Sequence, residues 1–307
     1  MTKTVLAFYC ITPIENPKEE VVRHHEFFRT RDIRSRIYIS EEGINGQMSA
    51  SSEHAEEYIA WMHADSRFAK IPFKLHEWPE HPFPKTTVKV RKNLVAFGCP
   101  TDLTQRGAHL SPTEWRKKLE ERTEQTLVLD VRNNYEWDVG HFEGAERPAC
   151  ETSRDFPAYT QQLAQTRDPQ KTRVLMYCTG GIRCEYYSSH LMKAGFSEVY
   201  QLEGGVIQYG FDEGSSNWRG KLFVFDDRLV TPISPEETPA VGHCRHCSTA
   251  SEVYYNCANT DCNELYLCCP NCLHKFRGCC CENCITQPRV RTYRTDGTAR
   301  PFRKGEC

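Results

Sequence analysis

Apolar positions change period several times along the chain, and each change marks an element. Val5 to Ile11 is a short apolar run that reads as a strand, and Asn16-Pro17 then opens a helix with Val21, Val22, His25 and Phe28 at helical spacing. Arg36 to Ser40 alternates as a strand, Glu42-Gly43-Ile44-Asn45-Gly46 turns the chain, and Gln47 to Ala50 returns. Ser51-Ser52-Glu53 caps a second helix with Tyr58, Ile59 and Met62 on one face, and Phe73 to Trp78 makes a fourth strand. A proline-rich break, Pro79 to Pro84, leads into Thr87 to Phe97, which alternates in β fashion around Arg91 and Lys92.

The order strand, helix, strand, strand, helix, strand predicts a split βαβ, ferredoxin-like domain over residues 1–95, with a connecting arm to about residue 105. Beyond it the pattern changes. Ser111-Pro112-Thr113-Glu114 is a capping box with proline at the first helical position, leading into a helix that holds Trp115 and Leu119. Leu127 to Leu129 and Val174 to Tyr177 are short, wholly apolar strands. Val199 to Leu202 is a third, and a helix through Leu191 and Met192 ends at Gly195. Buried strands alternating with helices predict a parallel α/β domain over residues 106–230. Residues 231–241 hold three prolines and no periodicity, and read as a linker.

Length agrees with several units, since 307 residues is roughly twice a typical ~150-residue domain. No run approaches the ~18 apolar residues of a membrane span, which excludes an integral helical membrane protein. Lys and Arg number 39 against 41 Asp and Glu, a net charge of −2, so nucleic-acid binding would have to come from local patches. Cysteine is the outlier: five lie before residue 243 and twelve from Cys244 onward. The N-terminus lacks the pattern of a signal peptide, so a cytoplasmic protein is expected, in which clustered cysteines hold metal more readily than disulfides.

The chemistry concentrates at Cys178-Thr179-Gly180-Gly181-Ile182-Arg183, at the C-terminal edge of a parallel strand, where open α/β sheets place their ligands. Two glycines let the backbone curl so that the amides of Thr179 to Ile182 form an anion cradle, and the following helix adds its positive end. With Arg183 this arrangement should make Cys178 a nucleophilic thiolate. Cys184 is either a resolving thiol or a first-turn residue packed under the loop.

Asp130-Val131-Arg132, Glu136-Trp137, Gly140-His141, Gly144-Ala145, the cysteine loop and Glu203-Gly204-Gly205, in that order, resemble a rhodanese domain. Rhodanese-like loops place four residues between cysteine and arginine, as here, whereas related phosphatases use a loop one residue longer. The resemblance implies that Asp130 and Arg132 tie the loop in place and that His141 is structural. Glu42-Gly43-Ile44-Asn45-Gly46, Lys89-Val90-Arg91-Lys92, Tyr177 through Glu185 and the cysteine-rich end together resemble the rhodanese-domain oxygen-dependent tRNA uridine hydroxylases, over residues 1 to about 285. That family converts the wobble uridine of certain tRNAs to 5-hydroxyuridine with dioxygen as co-substrate. The resemblance implies a tRNA partner, Cys178 as essential residue and Arg183 as its anion-stabilising neighbour; no flavin or haem signature is present. A sulfurtransferase carrying a persulfide on Cys178 fits the same loop, and a binding scaffold is a third reading.

The cysteine-rich unit, residues 243–285, offers Cys244/Cys247, Cys257/Cys262, Cys269/Cys272 and Cys281/Cys284. Four thiol pairs suit two structural zinc ions, each in a tetrahedron of thiolates. Their pairing stays open, with Cys268, Cys279 and Cys280 as adjacent alternatives, and His243, His246 and His274 as secondary candidates. Arg91 and Lys92 are candidate RNA contacts, together with Arg219 and Lys221, while Trp218, Tyr254 and Tyr255 offer stacking faces. Residues 286–307 carry Arg289, Arg291, Arg294, Arg300, Arg303 and Lys304 without an apolar face and read as a mobile basic tail.

Overall fold

A computed structural model describes residues 2–98, 101–150 and 152–294. The N-terminal unit runs β1 (Lys3–Ile11), α1 (Pro17–Phe28), β2 (Arg34–Ser40), β3 (Gly43–Ala50), α2 (Ser52–His63), β4 (Lys74–Trp78) and β5 (Thr86–Val90). Its sheet has the order β4-β1-β3-β2-β5, so the split βαβ arrangement is present with one strand added. Asn16 and Ser51 cap the two helices, accepting from the amides of Glu19 and His54. The helices bury their apolar side against Leu6, Phe8, Ile37, Ile39, Ile44 and Met48, the alternate residues of β1, β2 and β3. Neither of these two helices covers the other face of the sheet.

Three details depart from the sequence pattern. The turn between β2 and β3 is shorter than expected, because Gly43 to Gly46 already pair with Ile37 to Ser40. The buried stripe of α1 is Glu20, His24 and Phe28, while Val22 is 53% exposed: ion pairs from Arg23 and Arg67 hold the Glu20 carboxylate inside and turn the helix. Only the first part of the Thr87 to Phe97 stretch is a strand of the sheet: β5 pairs parallel with β2, and Arg91 and Lys92 follow its end instead of lying on it.

The second unit contains β6 (Ala108–Leu110), α3 (Pro112–Glu120), β7 (Thr126–Asp130), α4 (Asn134–Trp137), β8 (Gly140–Phe142), α5 (Phe156–Thr166), β9 (Arg173–Tyr177), α6 (Ile182–Lys193), β10 (Glu198–Leu202), α7 (Gly205–Glu213), β11 (Trp218–Gly220), β12 (Leu222–Phe223) and β13 (Val230–Thr231). β6-β10-β9-β7 form one parallel sheet. Leu127, Leu129, Val174 and Met176 face one core with Leu191 and Phe196, and Val128, Leu175 and Tyr177 face another with Trp115 and Tyr209. Two covered faces explain why these strands lack polar alternation. Helices α5 and α7 carry no signal that the sequence pattern had picked out.

The C-terminal unit is a small hairpin, β14 (Tyr254–Asn256) and β15 (Leu265–Leu267), followed by α8 (Pro270–Lys275) and α9 (Glu282–Ile285). Its core is mostly cysteine and aromatic side chains. The first part of the expected mobile tail is packed instead: Arg291 N donates to Ala258 O at 2.9 Å, and Arg289 pairs with Asp261 at 2.7 Å. Arg300, Arg303 and Lys304 lie outside the described residues.

The N-terminal and parallel-sheet units are in contact. Tyr186 of α6 donates to Glu42 at 3.0 Å, and the same carboxylate accepts from Leu94 N and Asn93 Nδ2. Arg36 donates to Phe225 O at 2.8 Å and Asp227 N to Pro82 O at 2.7 Å. Glu42→Ala removes three of these hydrogen bonds and should destabilise the assembly by roughly 1–3 kcal/mol. Denaturant unfolding followed separately by amide exchange in each unit checks this, and a wild-type midpoint in both would count against the clamp.

Candidate active site

Cys178 follows the last residue of β9, and the reason its loop curls inward lies in α7. The first amides of that helix, Val206 N and Ile207 N, donate to Cys178 O and Thr179 O at 3.0 and 3.1 Å. With those carbonyls turned outward, Gly181 N donates to Cys178 Sγ at 3.1 Å. Gly205 sits at φ +66°, and a Cβ there would lie 2.6 Å from Cys178 O, which accounts for the second glycine of Glu203-Gly204-Gly205. Gly181 has φ +105°, a conformation that L side chains rarely adopt. Of the expected cradle, then, the Gly181 amide is in direct contact with sulfur, and the Cys184 amide, one turn into α6, joins it.

Burial by itself would raise the Cys178 pKa, but the Cys184 thiol, the Arg183 charge and the Cys184 and Gly181 amides outweigh it and bring the value down to about 5. Cys184 is fully buried beside it, and burial together with its hydrogen bond to Cys178 pushes its thiol well up. One sulfur is thus an anion and the other a neutral donor.

Arg183 does not face the sulfur alone. Its guanidinium forks onto Glu136 at 2.6 and 2.8 Å, and Thr179 Oγ1 donates to the same carboxylate at 2.5 Å. Glu136 is fully buried, which would raise its pKa, yet Arg183 above all holds it down at about 2. The residue that fastens the loop is therefore Glu136. Asp130 and Arg132 stand behind it as a buried pair 2.6 Å apart, with Arg132 also donating to Gly140 O at 2.5 Å, so they tie β7 to β8. His141 stacks on Trp137 at 4.0 Å with a ring nitrogen on Trp137 O, in keeping with a structural role.

Cys178 lies at the wall of a cavity of about 360 Å³. The facing wall comes from the N-terminal sheet and includes Tyr9, Arg36, Tyr38, Asn45, Gln47 and Lys74. Lys74 is 5% exposed and donates to Gly180 O at 3.1 Å; burial lowers its ammonium to about 8, against the attraction of Cys178 and Glu203. Tyr9 donates to Glu185 at 2.9 Å, a carboxylate that His109 and Arg106 also contact. Sequence reasoning missed these wall residues, although the alternation of β1, β2 and β3 marks them as one face. Arg91 and Lys92 are exposed nearby, Arg91 with its guanidinium 4.7 Å from the Tyr38 ring centroid. Trp218 and Tyr254 are buried and not available for stacking, and Arg219 pairs with Glu143.

The cysteine-rich unit forms two quartets whose ligand atoms lie within 4.8 Å of one another: Cys244, Cys247, Cys269 and Cys272, and Cys257, Cys262, Cys280 and Cys284. The pairs interleave. Cys280 takes the place expected of Cys281, which stands at the residue before α9. The Cys247–Cys269 and Cys262–Cys280 sulfur pairs are both 3.6 Å apart and Cys280–Cys284 3.8 Å, near the ~3.8 Å edge of a tetrahedron with metal–sulfur bonds of ~2.3 Å. Each quartet can hold a metal ion, and every described cysteine is a free thiol. His246 stacks on Phe276 at 3.8 Å, and neither His243 nor His274 belongs to a quartet.

Comparison with known proteins defines the class first. A profile described as a rhodanese-like domain matches residues 111–210, one for the rhodanese C-terminal region 219–285, and one for a UPF0176 acylphosphatase-like domain 3–94. This is a rhodanese-domain protein with an acylphosphatase-like N-terminal partner. Over 300 residues it is 56% identical to the tRNA uridine(34) hydroxylase of Protochlamydia amoebophila, covering 98% of this chain and 93% of that one. The proteins of the same name from Chlamydia trachomatis serovar D and Chlamydia felis are 53% and 52% identical over 97% of this chain, and 91% and 92% of theirs. The chain belongs to the tRNA uridine(34) hydroxylase family.

A thiol with a pKa near 5 should be alkylated by iodoacetamide at a rate that is flat at neutral pH and falls as pH drops through about 5, where the sulfur gains its proton. Arg183→Ala should move that midpoint upward. A profile identical in variant and wild type would remove Arg183 from the stabilisation of the anion.

Proposed function

We propose that this protein hydroxylates C5 of the wobble uridine of tRNA, with Cys178 as the reactive thiolate and dioxygen as co-substrate. The observation that carries the reading is the cavity between the two domains in which an anionic sulfur faces the N-terminal sheet, in a chain 52–56% identical to proteins named for this reaction. The pocket holds a single base, so the wobble nucleotide must leave the anticodon stack to reach it. Arg91 and Lys92, exposed beside the cavity, suit the flanking phosphates. The Glu136–Arg183 pair and the Gly181 amide keep Cys178 ionised and in place, ready to add to the pyrimidine ring or to carry an oxidised sulfur species. Inserting one oxygen atom from dioxygen and reducing the other to water takes two electrons and two protons, which a separate donor supplies.

The short four-residue loop also suits a persulfide, and a sulfurtransferase would use the same thiolate. The two readings separate by product. In a strain lacking the protein, 5-hydroxyuridine at position 34 should disappear from tRNA, and Cys178→Ser should fail to restore it while folding normally, as read by nucleoside mass spectrometry. Restoration by the serine variant would exclude Cys178, and an unchanged nucleoside profile with thiosulfate-dependent sulfur release would favour the sulfurtransferase.

Zinc is the ion suited to the two quartets, given four thiolate donors each and the tetrahedral spacing. Its role is structural, because Tyr254, donating to Tyr135 O at 2.7 Å, joins the unit to the catalytic domain behind α4. No described helix is long and apolar enough to cross a membrane, and a tRNA substrate implies a cytoplasmic site. Metal analysis under reducing conditions should find two zinc ions per chain, one in Cys280→Ser and two in Cys281→Ser. Equal loss in both variants would contradict the second quartet.

A further inference from the structure

The face of the N-terminal sheet turned away from α1 and α2 carries a row of side chains set by strand register. Gln47 lies opposite Ala7, and Ala7 opposite Lys74, so the three occupy adjacent strands at one level. Residues directly opposite in antiparallel pairs share a face. Ala7 is small, and it leaves a gap between the two longer side chains that flank it. All three line the Cys178 cavity.

Both long side chains have unused hydrogen-bonding capacity. Among the described residues, Lys74 has one acceptor, Gly180 O, for three N–H groups, and it is nearly excluded from water. Gln47 Oε1 is buried without a partner. An unfilled acceptor and a buried ammonium in one cavity are costly unless a ligand completes them. A uracil ring presents the matching set, an N3–H donor beside the O4 acceptor, and O4 adjoins the C5–C6 edge where the thiolate must act. Cytosine reverses it: N3 becomes an acceptor facing Gln47 Oε1, and the 4-amino group would meet the Lys74 ammonium.

We propose that Gln47 and Lys74 are the base-reading pair of this site, Gln47 accepting from N3–H and Lys74 donating to O4 of the flipped uridine, and that they set its preference for uracil over cytosine. This rests on the uridine reading above and assigns the substrate contacts to the N-terminal domain. Lys74 touches both the loop that carries Cys178 and the base, so it also fixes the ring relative to the sulfur. A donor on O4 withdraws charge from C6 and favours attack there.

The test uses the full-length protein and anticodon hairpins that differ only at position 34. Wild-type protein should bind the uridine hairpin more tightly than the cytidine one by roughly tenfold to a hundredfold, as expected for losing a charged hydrogen bond and gaining a like pairing. Lys74→Met and Gln47→Leu should each remove most of that ratio, whereas Gln47→Glu, which keeps the acceptor, should retain it. Near-ultraviolet circular dichroism checks that the variants are folded. A hairpin with 3-methyluridine at position 34 makes the test independent of folding: wild-type protein should bind it at least about tenfold more weakly than uridine. A ratio unchanged in both variants, or full affinity for 3-methyluridine, overturns the proposal while 5-hydroxyuridine formation by wild-type protein persists. Absence of that product together with absence of any uridine preference would instead overturn the hydroxylase reading.

Discussion

The carboxylate of Glu136 is the constraint on which the Cys178 loop depends. It lies wholly inside the protein, at the end of a four-residue helix, and stays ionised because the Arg183 fork and the Thr179 hydroxyl surround it. Breaking a buried pair of this kind leaves a bare charge and costs about 3–5 kcal/mol. The same pair fixes Arg183 beside Cys178, so its positive charge reaches the sulfur without being able to swing into solvent. Loop shape and sulfur ionisation are thereby linked. The α7 amides hold the carbonyls outward, Glu136 holds the side chains sideward, and the Gly181 amide is left facing the thiolate.

A reactive sulfur on a sheet edge would be open to any small electrophile were it not covered. Here the cover is the N-terminal domain, whose bare sheet face closes the pocket with Tyr9, Gln47 and Lys74. The contact is directional, since Lys74 reaches the Gly180 carbonyl and Tyr9 reaches Glu185 of α6. Neither domain contains the pocket alone. A fold with helices on one side of its sheet is suited to this task, because its other face can be dedicated to a neighbour or a base.

The cysteine-rich unit works at a distance from the pocket. Its two quartets draw ligands alternately along the chain, so each ion would cross-link two segments and the unit would have few ways to open partially. The first residues after it fold back onto the second quartet through Val290 and Arg291, which holds that stretch against the unit while Arg289 and Arg294 stay exposed.

Local patterns alone determined a good deal: the order of β1 to β4 with their two helices, the three buried strands β7, β9 and β10, the caps at Ser51 and Ser111, the cysteine loop after β9, and the presence of paired thiols that could hold metal. Each of these is written in residues a few positions apart, within reach of periodicity, capping and loop chemistry. The partner of Arg183 was not legible, because Glu136 is 47 positions away and only the packing of α4 against the loop brings it there. Nor was the choice of Cys280 over Cys281: adjacent cysteines are equivalent by spacing, and the start of α9 decides which sulfur turns inward. The pocket wall was the largest omission. Val5 to Ile11 read only as an apolar run and Arg36 to Ser40 only as an alternating strand, and a polar face on such strands would ordinarily meet water. Only the docking of one domain on the other shows that Gln47 and Lys74 line the cavity of Cys178, since strand register joins residues 40 and 67 positions apart and the interdomain contact joins residues 106 apart.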